Sequence, residues 1–165
     1  MKITKFKRIA AAIAAVAAAA GIMAGCGENN DAPDWSKLDI DVTQAASEIA
    51  KATKFDAEMV DLDADQITMS YGGDIRSADE LGVTAAGGAS AERVIVAKCG
   101  GGTADTVSEI KALFTDLAGT YAEYAPEEVP KLNGAVIVER GSYVFAVVTS
   151  DAEGAAAAID AVCGK

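Results

Sequence analysis

One apolar stripe constrains the fold of this chain more than any other feature. Its members recur in steps of three and four, the period of an α-helix: Val107, Ile110, Phe114, Leu117, Tyr121 and Tyr124. Thr106 and Glu109 have the spacing of a capping box, and Thr103 is a competing cap. Pro126 disfavours helix in the residue before it. The pattern predicts a helix of roughly five turns that acts as the scaffold of a domain.

Two pairs of β-strands are predicted, one on each side of this helix in the sequence. The first pair covers 81–86 and 93–99, and a glycine-rich turn at 87–90 separates its strands. The second pair covers 135–139 and 143–149, with a glycine at the first position of its turn. Both pairs are therefore expected to be antiparallel hairpins.

Two further helices are predicted outside the strand pairs, one over 43–54 and an alanine-rich one over 152–163. A brief apolar patch at 59–62 and one or two helical turns over 64–70 lie between the first helix and the first strand. The order is ββαββα after an N-terminal helix. It predicts an α+β fold, a two-layer sandwich with the helices on one face of an antiparallel four-stranded sheet.

The start of the chain has the layout of a secretory signal, with basic residues before an apolar run over 9–22 that ends in small residues. The residues Ile22-Met23-Ala24-Gly25-Cys26 resemble a bacterial lipobox, although Met23 stands where leucine is usual. The resemblance implies cleavage before Cys26, a diacylglycerol on its sulfur, and a protein anchored to the outer face of the cell membrane. The chain would then consist of a signal peptide at 1–25, a flexible tether at 26–40 and a single α+β domain at 41–165.

An uncleaved membrane span is the alternative, because 9–27 is uncharged and about as long as a spanning helix needs. Alanine dominates that run and makes a weak hydrocarbon anchor. A simple span also gives Cys26 no role, so the lipoprotein interpretation is favoured.

Charge and composition exclude several classes of function. All 25 acidic residues and 10 of the 14 basic ones follow the signal, which gives the remaining chain a net charge of −15. Such a charge repels nucleic acid and anionic lipid headgroups, so no nucleic-acid partner is expected. The chain has no histidine, which removes the commonest general base and the commonest metal ligand.

Two cysteines remain after Cys26, namely Cys99 and Cys163. Outside the cytoplasm such a pair can form a disulfide. If Cys99 ends a central strand and Cys163 ends the last helix, the two could meet where helix packs on sheet. Two separate buried thiols are the alternative, and the sequence leaves both open.

Three short motifs suggest chemistry but lack essential parts, so no cofactor or metal is predicted. The acidic stretch 61–65 begins like a calcium loop, yet Gln66 and Gly72 replace its glycine and its bidentate glutamate, which leaves a solvated turn and at most weak calcium binding. The glycines at 100–102 could hold a phosphate but match no phosphate-binding fingerprint. Ser108 and Lys111 have the Ser-x-x-Lys spacing without its partner motifs.

Three segments carry a family resemblance: Gly-Ala-Ser-Ala-Glu at 88–92, Tyr-Ala-Pro-Glu-Glu-Val-Pro-Lys-Leu at 124–132, and the glycine-tyrosine turn at 141–143. Together they resemble an uncharacterised lipoprotein family of Gram-positive bacteria that is catalogued as a domain of unknown function. The resemblance covers about 43–159 and implies secreted, lipid-anchored proteins. It carries no catalytic residue or cofactor, and the glycines at 100–102 depart from the charged turn expected there.

Two functions from different classes remain. The favoured one is a noncatalytic lipoprotein that binds an envelope protein or a small ligand. Its predicted partner surface lies near the 124–132 segment and includes Tyr121, Tyr124, Glu127 and Tyr143. The alternative is a cell-envelope hydrolase that uses carboxylates alone, for which no acid pair is visible.

Overall fold

Five strands form one antiparallel sheet in the computed structural model, which describes residues 33–164. The strands are β1 (Met59–Asp61), β2 (Glu80–Ala86), β3 (Arg93–Lys98), β4 (Val136–Arg140) and β5 (Tyr143–Val148). Their spatial order is β1-β2-β3-β5-β4. The two predicted hairpins are therefore present, and β5 joins them by pairing with β3.

The described residues also contain five α-helices, namely α1 (Val42–Ala52), α2 (Ala64–Tyr71), α3 (Ala104–Tyr124), α4 (Val129–Asn133) and α5 (Ala152–Val162). Short 3-10 turns lie at Trp35–Lys37 and Pro126–Glu128. The predicted scaffold helix is α3, which buries Ile110, Leu113 and Phe114 against the sheet. No helix among residues 33–164 is both long and apolar enough to cross a membrane.

The helices cover both faces of the sheet, so the predicted two-layer arrangement is wrong. Side chains alternate along each strand, and in β3 Ile95 packs with α3 whereas Val96 packs with α1 and α5. In β5, Ala146 packs on the α3 side of the sheet and Phe145 packs on the α1 and α5 side. Because the two central strands are buried on both faces, the domain needs a helical layer on each side.

The sheet has five strands and not the predicted four. The additional strand is β1, whose residues Met59 and Asp61 pair with Ala86 and Thr84 of β2. It is three residues long and its middle residue, Val60, is 53% exposed at the edge of the sheet. Too short to show an alternating pattern, it is recognisable only through its pairing with β2.

The folded domain includes residues that were predicted as tether. Trp35, Leu38 and Ile40 pack against the α1 and α5 side of the core, and the Ile40 N–H donates to the Tyr143 hydroxyl at 3.2 Å. At the β4–β5 turn, Gly141 has a φ of +58°, and a side chain there would collide with the Trp35 carbonyl. The predicted boundary at residue 41 therefore lies too far along the chain.

Trp35 and Glu92 lie at opposite ends of the sheet, which we call the Trp35 end and the Glu92 end. At the Trp35 end, Trp35 packs against the turn at Gly141. At the Glu92 end, Glu92 lies immediately before β3. Register places them at opposite ends, because Lys98 of β3 pairs with Tyr143 beside that turn. Residues 33–40 therefore pack at the opposite end from Glu92.

Candidate functional site

The four residues of the predicted partner surface do not lie together. Tyr143 is fully buried at the Trp35 end, and Tyr121 is 5% exposed, with its hydroxyl donating to the Ser90 carbonyl at 2.7 Å. Tyr124 is 57% exposed, and its ring centroid lies 5.1 Å from that of Tyr121. Glu127 is also exposed. The exposed members of the predicted set are therefore Tyr124 and Glu127, and the two buried tyrosines stabilise the core.

Four charged side chains meet beside this surface, and we call them the Lys131 cluster: Asp56, Glu92, Glu128 and Lys131. The Lys131 ammonium nitrogen lies 2.9 Å from a carboxylate oxygen of Asp56, 3.0 Å from one of Glu128 and 3.2 Å from one of Glu92. The Glu92 side chain has no exposed surface. A carboxylate buried so completely requires a partner, because an isolated charge in the interior is costly.

Glu92 connects the two helical layers across the end of the sheet. Its carboxylate accepts hydrogen bonds of 2.9 Å from the backbone N–H groups of Asp56 and Ala57, which follow α1 on one face. It also meets Lys131, which belongs to α4 on the other face. Glu128 adds a second connection by accepting from the Ala91 N–H at 2.8 Å. The polypeptide around Tyr124 and Glu127 is thereby fixed on both sides.

The electrostatics of this cluster favour the charged forms of Lys131, Glu128 and Asp56. Burial by itself would lower the pKa of Lys131, but the carboxylates of Asp56, Glu128 and Glu92 outweigh burial and raise it. Burial likewise opposes the net lowering of the Glu128 pKa, which the Ala91 amide and Lys131 produce. The Lys131 hydrogen bond lowers the pKa of Asp56. Lys131 is therefore an ammonium ion at neutral pH and cannot serve as a general base.

Sequence reasoning missed most of this cluster. The one local signal is the three-residue spacing of Glu128 and Lys131, which places them as neighbours on a helical turn. Asp56 and Glu92 are distant in sequence and join the cluster only through the fold. Glu127 and Glu128 are adjacent in the sequence, but their side chains are separated in the structure, since Glu127 is exposed whereas Glu128 faces Lys131.

Two carboxylates accept hydrogen bonds at the glycine loop 100–102 and its border. The Gly100 N–H donates to Asp79, and the Thr103 hydroxyl donates to Glu139. Burial raises the pKa of Cys99, which precedes the loop, and the charges of Asp79 and Glu139 raise it further. These negative groups oppose the binding of a phosphate at this loop.

The acidic stretch at 61–65 has structural partners. Asp63 caps α2 in a capping box with Gln66, and Asp61 accepts hydrogen bonds from Ser47 and Thr84. Residues 33–164 contain no group of three or more acidic or cysteine side chains placed to hold a metal ion. Ser108 and Lys111, which have the Ser-x-x-Lys spacing, are both exposed on α3, and the Ser108 hydroxyl donates to the carbonyl of Ala104 in the same helix.

The sequence left open whether the two cysteines form a disulfide, and in the fold they do not. Cys99 is buried on the α3 side of the sheet, where its thiol donates to the Thr106 hydroxyl at 3.2 Å. Cys163 is buried on the α1 and α5 side. The sheet lies between them, and the alternative of two separate buried thiols describes the fold.

Comparison with protein-family models, curated proteins and solved structures found no match to the chain. The resemblance to a lipoprotein family therefore stays a prediction from the sequence. Cys26 and the signal or span over 9–27 lie outside the described residues.

Proposed function

We propose that the chain is a lipoprotein anchored through Cys26 to the outer face of the cell membrane, and that its domain is a noncatalytic binding module. Its partner would be an envelope protein, bound at the surface formed by Tyr124 and Glu127. The basic start, the apolar run and the residues 22–26 support the anchor. One structural observation supports the binding role, namely an exposed tyrosine on a backbone that the Lys131 cluster holds in place.

The geometry of Tyr124 suits a binding anchor. Exposed tyrosines contribute a large, stiff contact area, and they are enriched among the residues that dominate binding energy. The Tyr124 ring packs at a tilt against the ring of the buried Tyr121, and this contact restricts the Tyr124 side chain before a partner binds. Less conformational entropy is then lost on binding.

The position of this surface agrees with an anchored protein. Residues 33–40 pack at the Trp35 end. Tyr124 lies at the Glu92 end, because Tyr121 on the same helix donates a hydrogen bond to the Ser90 carbonyl there. A tether over 27–32 would span at most about 22 Å. Attachment through Cys26 would therefore leave the Tyr124 surface accessible, because residues 33–40 pack at the other end of the sheet.

Charge indicates the chemistry of the partner. Glu123 and Glu127 are exposed on either side of Tyr124 in the sequence, in a domain of strongly negative charge. A protein that offers basic side chains around an apolar or aromatic pocket would complement this surface.

The carboxylate hydrolase is less well supported. A glycosidase needs one carboxylic acid with a raised pKa. In Asp34, Asp56, Glu109 and Glu128 the carboxyl pKa is instead lowered. The two glutamates of the Lys131 cluster, Glu92 and Glu128, already accept from internal donors.

Photocrosslinking in intact cells tests the proposal. Benzoylphenylalanine is placed at Tyr124 of the full chain, with the same residue at Met69 as control, because Met69 is 87% exposed on α2. We expect a discrete protein adduct from position 124 alone, and its loss when Glu127→Lys is added. Equal adducts from both positions, or adducts insensitive to Glu127→Lys, would refute the surface. Glycan or peptide turnover by the purified protein would refute the noncatalytic role.

A further inference from the structure

We propose that a cavity beside β1 binds a small molecule that carries an ammonium group on an apolar body. The cavity lies between the end of α1, the segment that follows it, and strands β1 and β2, and its volume is about 340 Å³. That volume falls in the range of small-molecule sites, roughly 300 to 1,000 Å³. The cavity shares no lining residue with the Tyr124 surface, so the two proposals are independent.

Asp61 supplies the charge that would hold the ammonium group. Its two carboxylate oxygens accept separate hydrogen bonds, one from the Thr84 hydroxyl at 2.7 Å and one from the Ser47 hydroxyl at 3.0 Å. Thr84 is 2% exposed and Ser47 is 9% exposed, so both donors are fixed by burial. The carboxylate is therefore oriented in advance, while Asp61 itself stays exposed and can accept further hydrogen bonds.

Thr53 provides a second, independent observation. It lines the same cavity and is 7% exposed, and its hydroxyl has no hydrogen-bond partner among the described residues. A buried hydroxyl without a partner is unfavourable, so such groups in native proteins call for an explanation. A polar group on a bound molecule would give Thr53 the missing partner.

The other residues that line the cavity indicate that the rest of the ligand is apolar. Phe55, Met59 and Ala50 line the cavity and are partly buried, which offers an apolar surface beside the carboxylate. Met59 and Asp61 are two residues apart on β1, so they lie on the same face of the sheet. One carboxylate cannot hold a metal ion alone, but it can pair with an ammonium group by charge-assisted hydrogen bonds.

Lys51 also lines the cavity and distinguishes two sources of this ligand chemistry. A simple amine needs Asp61 only. An apolar amino acid carries a carboxylate as well, and that group would gain from the Lys51 ammonium. The shared requirement is the ammonium group on an apolar body.

Methionine-methyl NMR of the full chain in detergent tests the site with phenethylamine, phenylalanine and phenylpropionate. Met59 lines the cavity, whereas Met69 is exposed on α2 and serves as the control within the same sample. We expect phenethylamine and phenylalanine to shift the Met59 signal saturably, with Met69 unchanged. Phenylpropionate, which lacks the amine, should have no effect. Binding of phenylpropionate with no binding of either amine, or no Met59 shift with any probe, would overturn the proposal.

Variants identify the groups responsible. Asp61→Asn should weaken phenethylamine binding about tenfold or more, since a charge-assisted contact is lost. Asp65→Asn removes the same charge from an exposed position on α2 and should have no effect. If Asp61→Asn unfolds the protein, Ala50→Phe fills the cavity with every charge retained, and it should abolish binding. Unchanged binding in Ala50→Phe would place the ligand elsewhere and overturn the site. Lys51→Gln should weaken phenylalanine only if the carboxylate contributes.

Discussion

The ammonium nitrogen of Lys131 lies 3.2 Å from a carboxylate oxygen of Glu92, a side chain with no exposed surface. Lys131 belongs to α4 on one face of the sheet, and the backbone amides that Glu92 also binds follow α1 on the other face. Together with the contact between Lys131 and Asp56, this ion pair links the two helical layers at this end of the sheet.

Loss of the Lys131 ammonium should destabilise the domain strongly. Lys131→Met leaves Glu92 as an uncompensated buried charge, which costs about 3 to 5 kcal/mol when a buried pair is broken. Urea unfolding monitored by circular dichroism measures the change. Lys111→Met is the matched control, because Lys111 is exposed on α3 and should change stability by less than about 0.5 kcal/mol. Equal effects of the two substitutions would contradict a clamping role for the cluster.

Glu128 should make stability depend on acidic pH. Its pKa is lowered from 4.5 in the folded protein, because the Ala91 amide and Lys131 outweigh the effect of burial. A group with a lowered pKa stabilises the folded state above its unfolded pKa, and this contribution is lost as pH falls through the folded value. Stability should thus decline below about pH 5. Urea midpoints of Glu128→Gln should decline less over the same range, and parallel pH profiles would exclude this contribution.

The sequence predicted the elements well because their patterns are local. The stripe from Val107 to Tyr124 identified α3, and the glycine turns identified both hairpins. It did not predict that helices cover both faces. The signal was available in β5, where Tyr143–Val148 is apolar without interruption, since a strand covered on one side only would alternate.

The site was less predictable because its contacts are not local. Tyr121 and Tyr124 are three residues apart on one helix, yet one is buried and the other exposed, and only the packing of the β2–β3 loop against Tyr121 distinguishes them. Two strands and a helix lie between Asp56 and Glu92 in the sequence, and the two residues meet only through the fold, where Glu92 precedes a central strand. No pattern of spacing carries that information.

Membrane attachment should depend on Cys26. In the proposed lipoprotein the diacylglycerol is joined to the sulfur of Cys26. Cys26→Ser should therefore abolish labelling by a radioactive fatty acid. The variant should be released from the membrane fraction or remain as unprocessed precursor. Cys163→Ser, at a buried position in the folded domain, is the control and should keep full labelling. Unchanged labelling of Cys26→Ser would exclude the lipoprotein proposal.

Tyr124 and Glu127 should affect binding without affecting the fold. Alanine at both positions should reduce recovery of the crosslinked envelope partner, while the free energy of unfolding changes by less than about 1 kcal/mol, because both side chains are exposed. Tyr121→Ala is the contrasting variant. Its side chain is buried, so its loss should cost about 3 to 5 kcal/mol. A comparable loss of stability in the double alanine variant would place Tyr124 in the core and remove the proposed surface.

Denatured, unreduced protein should show both domain thiols. Cys99 packs with α3 and Cys163 with α1 and α5, so the full thickness of the sheet separates them. A disulfide requires Cα atoms within about 7 Å, which residues on opposite faces of a covered sheet do not reach without unfolding. Titration with a chromogenic disulfide reagent should therefore detect two thiols per lipidated chain, although the compartment permits oxidation. In the native protein Cys99 should react slowly, because burial raises the pKa of its thiol and restricts access to the reagent. Detection of no thiols in the denatured protein, with two appearing after reduction, would mean that the chain pairs its cysteines and that the faces assigned to α3 and α5 are wrong.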